Sequence, residues 1–513
     1  MAFANFFDRT ASAASQVLRN FELAAFKERL NAQKLVISFD DTVMTAEGRA
    51  TLDLVVRILA RLFPQIAICP SGDKSAALAK LLKQMAKSIN PKISLPVRPR
   101  GATVRIVLGR GTDHLGSEGR TIYVGSNEWV GNVSTTTPLT SGRSSNPFGP
   151  GTAACLAAAN AFRAVFGDQL PGGALDENAS LSLLAYGPSE TSNLALKGID
   201  LGETQIVGLG AIGNGALWAL ARIPSLSGQL QVIDPETADL SNLQRYVLTT
   251  QDDVGQTKSS LAQRWLKGTK LKVDPHDCSW AEYVDRRQDW RFEHVAVALD
   301  TAADRIAVQA ALPRWIVNSW TQEQDLGISR HGFVDNRACL ACLYLPSEKS
   351  RNEHEILADQ LRLPEAAIEI RTLLQTNQPV DAAFVQRVAN KFEVPVEALA
   401  EFVGQPVRAF YQRALCGGLM MRLTNGSAQS TATVPMAFQS ALAGLMLAAE
   451  LVKKAAGIPE PAETAARVNL LRPLAKHIKD PRAKDPTVRC LCTDKDYLDA
   501  YRLKYPQRQP QGK

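Results

Sequence analysis

The chain has 513 residues, which at about 150 residues per domain predicts roughly three domains. Hydrophobic residues make up 45% and charged residues 21% of the sequence, ordinary values for a folded protein that exclude a disordered or collagen-like chain. The formal net charge of +7 is mild for this length, so no nucleic-acid partner is expected.

The predicted location is the cytoplasm, and no membrane partner is expected. Residues 1–7 lack a basic region followed by an apolar stretch, so they do not predict a signal peptide. The most apolar helical pattern, at 436–452, includes Glu450 and falls short of the roughly 20 apolar residues of a membrane span, so it predicts a buried helix. Because cytoplasmic thiols stay reduced, closely paired cysteines favour a metal site over disulfides.

The first part of the chain alternates strand and helix patterns. A helical pattern reaches about residue 34, and helical patterns at 45–62 and 151–166 follow. Short apolar runs that predict strands lie at 35–39, 66–69, 104–108 and 122–124. This alternation predicts an α/β domain over residues 1–185, and it contains no glycine-rich nucleotide motif.

A second α/β unit starts near residue 203 with a strand, a glycine turn and a helix. Gly208, Gly210 and Gly213 form G-x-G-x-x-G. In this motif the first glycine permits a tight turn, the second lets the backbone approach a phosphate, and the third lets the helix pack closely on the strand. The helix N-terminus offers N–H groups to an anion. Asp234 ends the next predicted strand, where a carboxylate can bind ribose hydroxyls. NAD, FAD, S-adenosylmethionine and ATP all fit these residues, as does a turn without a ligand.

Charged residues further along favour ATP. Residues 239–245 read Asp-Leu-Ser-Asn-Leu-Gln-Arg and 254–258 read Val-Gly-Gln-Thr-Lys, and a later predicted strand ends at Asp300. A polyphosphate attacked at its α-phosphorus needs cations, which Arg245 and Lys258 can supply, and a carboxylate for Mg²⁺, which Asp300 can supply. Hydride transfer needs no such set.

This ordered series resembles the adenylation domain of the ubiquitin-activating enzyme superfamily, which includes ThiF and MoeB. The resemblance covers about 186–346 and resumes at 433–471. It implies an ATP site built from Gly208, Gly210, Gly213, Asp234, Asn242, Arg245 and Lys258. It also implies that Arg245, Lys258 and Asp300 are catalytic and that Asp300 holds Mg²⁺.

Two cysteine pairs predict a metal site. Four thiolates, from Cys339, Cys342, Cys490 and Cys492, can surround one tetrahedral Zn²⁺, and a closed site of this kind is structural. The resembling family often has two C-x-x-C pairs at these places, whereas the second pair here is C-x-C. Free, partly buried thiols are the alternative interpretation.

Cys416 is the predicted nucleophile. It lies in a polar, helix-rich insertion between the two cysteine pairs, where ubiquitin-activating enzymes carry their thioester cysteine. Arg413 could lower the pKa of its thiol. A core cysteine in a helix is the alternative. Residues 427–434, where sulfur-carrier activators place their cysteine, contain none, which favours conjugation over sulfur transfer.

The predicted fold is therefore α/β, with two Rossmann-like adenylation-type domains and a helical catalytic-cysteine insertion. Residues 1–185 form the inactive domain, 186–346 and 433–513 the active one, and 347–432 the insertion. This layout resembles a compact activating enzyme of a bacterial ubiquitin-like conjugation operon linked to antiphage defence. The resemblance implies a pseudo-dimer within one chain, with a homo-oligomer also possible, and Arg143 is the candidate for an arginine donated by the inactive domain.

The expected reaction has two steps and uses ATP, Mg²⁺ and a structural Zn²⁺. The C-terminal tail of a ubiquitin-like protein is adenylated, Cys416 takes the acyl group as a thioester, and a conjugating enzyme receives it. Two alternatives stay open. One is a sulfur-carrier adenylyltransferase of the ThiF/MoeB type, with no thioester and a structural Cys416. The other is a non-catalytic scaffold that binds nucleotide.

Overall fold

The first α/β domain is built on a mainly parallel sheet. The computed structural model describes residues 2–97, 101–110, 119–188, 195–345, 352–416, 419–424, 434–475, 478–487 and 489–506. The strands of this domain are β1 (Leu35–Asp40), β2 (Ile66–Ser71), β3 (Val104–Leu108), β4 (Arg120–Asn127), β5 (Val130–Ser134) and β6 (Asn178–Ser182). Its helices are α1 (Phe7–Ser15), α2 (Leu23–Asn31), α3 (Ala46–Leu59), α4 (Asp73–Ile89) and α5 (Phe148–Phe166).

The strand order in this sheet is β2-β1-β3-β4-β5-β6. The first four strands in that order are parallel, and β5 and β6 are antiparallel additions. The four predicted strands are confirmed, whereas β5 and β6 were not predicted. Helix α5 is rich in alanine and almost entirely buried, so it packs closely between this domain and the next.

The second sheet carries the glycine turn. Its strands are β7 (Asp200–Val207), β8 (Ser227–Ile233), β9 (Lys270–His276), β10 (His294–Val297), β11 (Trp315–Thr321), β12 (Leu326–His331), β13 (Ala465–Val468) and β14 (Lys479–Asp480). Its helices are α6 (Ala211–Leu220), α7 (Lys258–Leu266), α8 (Trp280–Arg286) and α9 (Ala302–Ala310). The order is β14-β13-β12-β11-β10-β7-β8-β9, parallel from β11 to β9 and antiparallel beyond β11. Two Rossmann-like sheets thus confirm the predicted fold class.

The insertion folds around a hydrophobic core of its own. Its elements are α10 (Glu353–Gln360), α11 (Ala367–Thr376), α12 (Ala382–Phe392), α13 (Val407–Phe410), a π-helical turn (Tyr411–Cys416) and α14 (Leu419–Leu423). Phe384, Phe402 and Phe410 are buried in a cluster separate from the main core. The prediction of a helical insertion agrees with these elements.

After the insertion, α15 (Ala437–Ala455) returns to the main core, and α16 (Lys495–Lys504) ends the described chain. Helix α15 packs directly on α6, because glycines face each other at the crossing: a Cβ on Gly444 would lie 2.2 Å from the Ile212 carbonyl oxygen, and one on Gly215 would lie 2.8 Å from the Ala441 carbonyl oxygen. The α15 helix is buried, as its apolar pattern predicts. One hydrophobic core spans both domains.

A buried ionic network in the second domain reaches the first domain through Lys453. Glu450 of α15 is 3% exposed and accepts hydrogen bonds from Arg330 Nη2 (2.8 Å) and from the hydroxyl of Tyr186 (2.6 Å). Lys453 forms an ion pair with Glu450 and donates to the Leu184 carbonyl of the first domain (3.0 Å). The contact between the domains therefore depends on charge as well as on apolar packing.

Candidate functional site

The glycine turn has the conformation that its sequence predicts. Gly208 has φ +91°, and a Cβ there would lie 2.6 Å from the carbonyl oxygen of Ala298, so glycine is required. A Cβ on Gly213 would lie 2.6 Å from the Gly208 carbonyl oxygen, which explains the close approach of α6 to the turn. Gly210 is the residue before α6, and a Cβ there would be 3.3 Å from the Tyr246 hydroxyl. The turn therefore opens onto the first N–H groups of α6.

Asp234 is bonded to this turn. The residue follows β8, is 6% exposed, and accepts the Leu209 N–H (2.8 Å) and the Glu236 N–H (2.9 Å). Burial raises the pKa of its carboxyl group, partly offset by Lys258. Its position beside the turn is the one expected for a carboxylate that binds ribose.

Lys258 lies next to Asp234. It is the first residue of α7 and is 4% exposed, and its Nζ forms an ion pair with Glu236 and lies 3.6 Å from Asp234 Oδ1. Burial alone would lower its pKa, but Tyr246, Asp234 and Glu236 together raise it, so the ammonium stays charged. Lys258 is therefore a buried cation at the glycine turn and not a solvated surface charge.

Arg245 ends a short 3₁₀ helix, residues 240–244, that is stabilised at its start by a capping box. Asp239 accepts the Ser241 N–H (2.8 Å), and Asn242 Oδ1 accepts the Asp239 N–H (2.9 Å), so Asn242 has a structural role in addition to any contact with nucleotide. Arg245 Nη1 is buried and has no hydrogen-bond partner among the described residues. A buried guanidinium N–H of this kind fits an anionic ligand.

Tyr246 connects these groups, and the sequence did not indicate its role. It is 4% exposed, and its ring centre lies 5.5 Å from both Arg245 Cζ and Lys258 Nζ. Its hydroxyl faces Gly210, as described above. The available signal was its position directly after Arg245, which is too weak to single it out.

Asp300 lies at the same edge of the sheet. It follows β10, whose end pairs with the end of β7 before the glycine turn, and its side chain is exposed. Asp300 does not cap α9, because Thr301 is the N-cap residue and accepts the Asp304 N–H (3.1 Å). The Asp300 carboxylate is therefore available to a metal ion.

The first domain contributes side chains to this region. Arg61 is 2% exposed and donates to the carbonyl oxygens of Tyr246 (2.5 Å) and Thr249 (2.7 Å), and Arg57 donates to the Val247 carbonyl oxygen (3.1 Å). These interdomain contacts were not predicted. The predicted donor, Arg143, is exposed, and no contact with the glycine turn is described for it.

The four paired cysteines come together. The Sγ–Sγ distances include 3.7 Å for Cys339–Cys342, 3.4 Å for Cys339–Cys490, 3.3 Å for Cys342–Cys490 and 3.5 Å for Cys342–Cys492. All four sulfur atoms lie within 4.8 Å of one another. Tetrahedral Zn²⁺ at about 2.3 Å from each sulfur requires sulfur–sulfur distances of about 3.8 Å, so the cluster fits this ion and the C-x-C pair is not an obstacle.

The structure describes the backbone of Cys416 but not its side chain. This residue ends the π-helical turn Tyr411–Cys416. Arg413 is engaged elsewhere, because it donates to Gln405 Oε1 (3.1 Å) and forms an ion pair with Glu401 (2.5 Å). The nucleophilic role of Cys416 stays a prediction.

None of the helices in the described part of the chain combines the length and the apolar composition that a membrane crossing requires.

Two protein families match this chain, one in each of its α/β parts. Residues 189–492 match the ThiF family, and 38–167 match the family described as Prokaryotic E2 family C. Over 508 residues, 98% of both chains, the sequence is 53% identical to the uncharacterized protein y4jF of Sinorhizobium fredii. Over 118 residues, 22% of this chain and 25% of the relative, it is 32% identical to the NEDD8-activating enzyme E1 catalytic subunit of Dictyostelium discoideum.

The chain belongs to the ThiF family, whose members are adenylating enzymes, and the predicted membership of this superfamily is confirmed. The crystal structure of E. coli MccB with MccA-N7isoASN is also similar. It has 15% identity and a TM-score of 0.36 over 57% of this chain and 67% of MccB, which is too low to carry an argument. The assignment of residues 1–185 as an inactive adenylation domain stays a prediction.

Proposed function

We propose that this chain activates a ubiquitin-like protein by adenylating its C-terminal carboxylate and then takes the acyl group onto Cys416. The observation that carries the first step is the buried Nη1 of Arg245, for which the described residues offer no hydrogen-bond partner. It lies next to the buried cation of Lys258 and the glycine turn. Family membership supports the chemistry, and the resemblance to a NEDD8-activating subunit supports a protein substrate.

In the first step, a carboxylate oxygen attacks the α-phosphorus of ATP. The bond between the α-phosphorus and the oxygen that it shares with the β-phosphorus breaks, and pyrophosphate leaves. Arg245 and Lys258 neutralise the charge that develops on the phosphates, and Asp234 orients the ribose through its hydroxyls. Asp300 would hold Mg²⁺, which supplies further positive charge to the polyphosphate. The second step forms a thioester at Cys416 with loss of AMP, the thiol proton passing to solvent. A conjugating enzyme would then receive the acyl group.

Pyrophosphate exchange in the presence of a ubiquitin-like protein tests the first step. Arg245→Ala should reduce exchange by at least about 100-fold, the loss typical of removing one hydrogen-bond donor to the transition state. Asp300→Ala should also reduce exchange, because it removes the proposed ligand of Mg²⁺. Arg264→Ala is the matched control, because Arg264, on the nearby α7 helix, is 48% exposed and pairs with Asp253. Exchange by the Asp300→Ala variant at the wild-type rate would remove Asp300 from the reaction.

A thiol-sensitive adduct with the ubiquitin-like protein tests the second step. Cys416→Ala should abolish the adduct and leave pyrophosphate exchange intact, whereas Cys69→Ala, the control, should retain both. An adduct that persists in Cys416→Ala would identify another cysteine. Exchange with no adduct in the wild type would favour the sulfur-carrier adenylyltransferase, and nucleotide binding with no exchange would favour the scaffold.

We also propose that residues 1–185 are the inactive half of a pseudo-dimer within the chain. The match to Prokaryotic E2 family C raises the question of whether this half transfers an acyl group itself. The matched range contains Cys69 and Cys155 as its cysteines, and burial raises the pKa of both thiols. A raised thiol pKa reduces the fraction of thiolate at neutral pH, which favours a supporting role for this domain.

The four-cysteine cluster is proposed as a structural Zn²⁺ site. One tetrahedral ion would use all four sulfur atoms and would leave no open coordination position for a reactant. The cluster ties the C-terminal segment to the adenylation domain.

A further inference from the structure

Arg61 of the first domain places its guanidinium against the backbone of the second domain. It lies just after α3 in the first domain, and its guanidinium is 2% exposed. Its Nη2 donates to the carbonyl oxygens of Tyr246 (2.5 Å) and Thr249 (2.7 Å), and its Nη1 donates to that of Arg57. Two of its acceptors thus belong to the segment directly after the candidate phosphate ligand Arg245.

Helix α3 of the first domain makes further contacts with the second domain. Arg57 donates to the carbonyl of Val247 (3.1 Å), and Asp53 accepts the indole N–H of Trp218 (2.7 Å) and forms an ion pair with Arg222. Trp218 is near the end of α6, whose beginning is the glycine turn. The first domain therefore contacts both the segment after Arg245 and the helix that starts at the turn.

The segment held by Arg61 positions Tyr246. Fixing the Tyr246 and Thr249 carbonyls sets the backbone of residues 246–249, and with it the direction of the Tyr246 ring. The ring centre lies 5.5 Å from both Arg245 Cζ and Lys258 Nζ, and the hydroxyl faces Gly210. A shift of this segment would therefore move the groups around the nucleotide site together.

Packing alone does not account for a guanidinium at this place. Burial lowers the pKa of Arg61 well below its usual value, with the neighbouring charge of Arg57 acting in the same direction and Asp53 opposing it. An apolar side chain of similar size would fill the space with a smaller desolvation cost, but it could not bind two carbonyl oxygens of another domain.

We infer that Arg61 is a positioning residue through which the first domain sets the geometry of the nucleotide site. This inference rests on the proposed function, since it assigns Arg61 to the adenylation site. Arg61 does not need to touch ATP. Its effect passes through the backbone of residues 246–249 and the ring of Tyr246.

The test compares Arg61→Lys, which keeps the charge but not the forked geometry, with Arg61→Met in the full chain. Binding of Mg²⁺ and a non-hydrolysable ATP analogue, measured by calorimetry, should weaken about 10- to 100-fold in both variants, the range expected for a lost charged hydrogen bond. Amide hydrogen exchange in 246–249 should accelerate, because the Leu248 and Thr249 N–H groups bond to Asn214 Oδ1 and the Tyr246 carbonyl.

The matched control is Arg163→Lys. Arg163 is 1% exposed in the same domain and bonds to Asp176 and to the Ala174 carbonyl (2.7 Å), away from the nucleotide segment. This variant should lose thermal stability but bind the ATP analogue as the wild type does. Arg57→Gln, at a side chain 17% exposed, provides a second variant in case Arg61 substitutions do not fold.

The inference would be overturned if Arg61→Lys bound the ATP analogue with wild-type affinity and its 246–249 amides exchanged hydrogen at wild-type rates. An equal loss of affinity in Arg163→Lys would also overturn it. Failure of the proposed function has a different signature. In that case the wild type itself shows no pyrophosphate exchange with any carrier, while exchange of the 246–249 amides, which needs no carrier, still decides whether Arg61 fixes the segment.

Discussion

Replacing Glu450 by Gln should destabilise the contact between the two domains. The carboxylate is 3% exposed and binds Arg330, which is 1% exposed, and Lys453, which is 6% exposed. Gln keeps the size of the side chain but removes the charge, so two buried cations lose their counterion.

The expected loss follows from this burial. Breaking a buried ion pair by removing one partner costs about 3–5 kcal/mol, because the remaining charge stays desolvated. For a unit of 150–250 residues each kcal/mol corresponds to about 2–4 °C, so the melting temperature should fall by about 6–20 °C. Glu293→Gln is the matched control, because the Glu293–Arg314 pair (2.9 Å) is about half exposed and should contribute at most about 1 kcal/mol.

The effect also has a defined pH dependence. Burial would raise the pKa of Glu450, but Lys453 and Arg330 lower it from 4.5 to about 2. A depressed carboxyl pKa contributes stability above the unfolded value and loses it as the pH falls through the folded value. The difference in melting temperature between wild type and Glu450→Gln should therefore be constant above pH 4.5 and shrink towards pH 2.

Calorimetric melting of the wild type and both variants over this pH range is the assay. Equal shifts for Glu450→Gln and Glu293→Gln at neutral pH would refute the argument from burial. A difference that did not shrink in acid would refute the assigned pKa direction.

Three further substitutions test other features of the structure. Gly444→Ala places a Cβ 2.2 Å from a carbonyl oxygen of α6 and should lower the free energy of unfolding by about 1–3 kcal/mol, measured by thermal melts. The loss should exceed that of Gly457→Ala, because Gly457 has φ +71° but no atom within 4 Å of the new Cβ. Cys490→Ser should remove most of the zinc measured by atomic emission, whereas Cys278→Ser, outside the cluster, should retain it. Asp234→Asn should weaken binding of the ATP analogue about 10-fold or more, since a charged acceptor for the ribose hydroxyls is lost, and an unchanged affinity would remove Asp234 from the ribose site.

The parts of the site that follow one another in the sequence could be predicted. The glycine turn lies between adjacent elements, and Asp234 directly follows the next strand, so local order alone brings them together. Lys258 and Asp300 required the resemblance to a family, because a lysine at the start of a helix and an aspartate after a strand have many ordinary explanations. The cysteine pairs carried their own signal in their spacing.

Interdomain contacts could not be predicted. Arg61 and Thr249 are 188 positions apart, and an arginine after a helix carries no mark of its partner. Strands β5 and β6 escaped prediction because they are short and contain several polar residues, such as Asn132 and Asn178, and pair at the antiparallel side of the sheet. Their strand character comes from their neighbours and not from an apolar alternation.

The four-cysteine cluster has a consequence for the unfolded chain. A Zn²⁺ ion bound there would link Cys342 to Cys490, 148 positions apart, and so close a loop that contains the entire helical insertion. By chain-entropy arithmetic, a crosslink around a loop of this size disfavours the unfolded state by about 5 kcal/mol. Doubling the loop would change this by only about 0.6 kcal/mol, so the insertion can lengthen or shorten at little cost to the domain that encloses it.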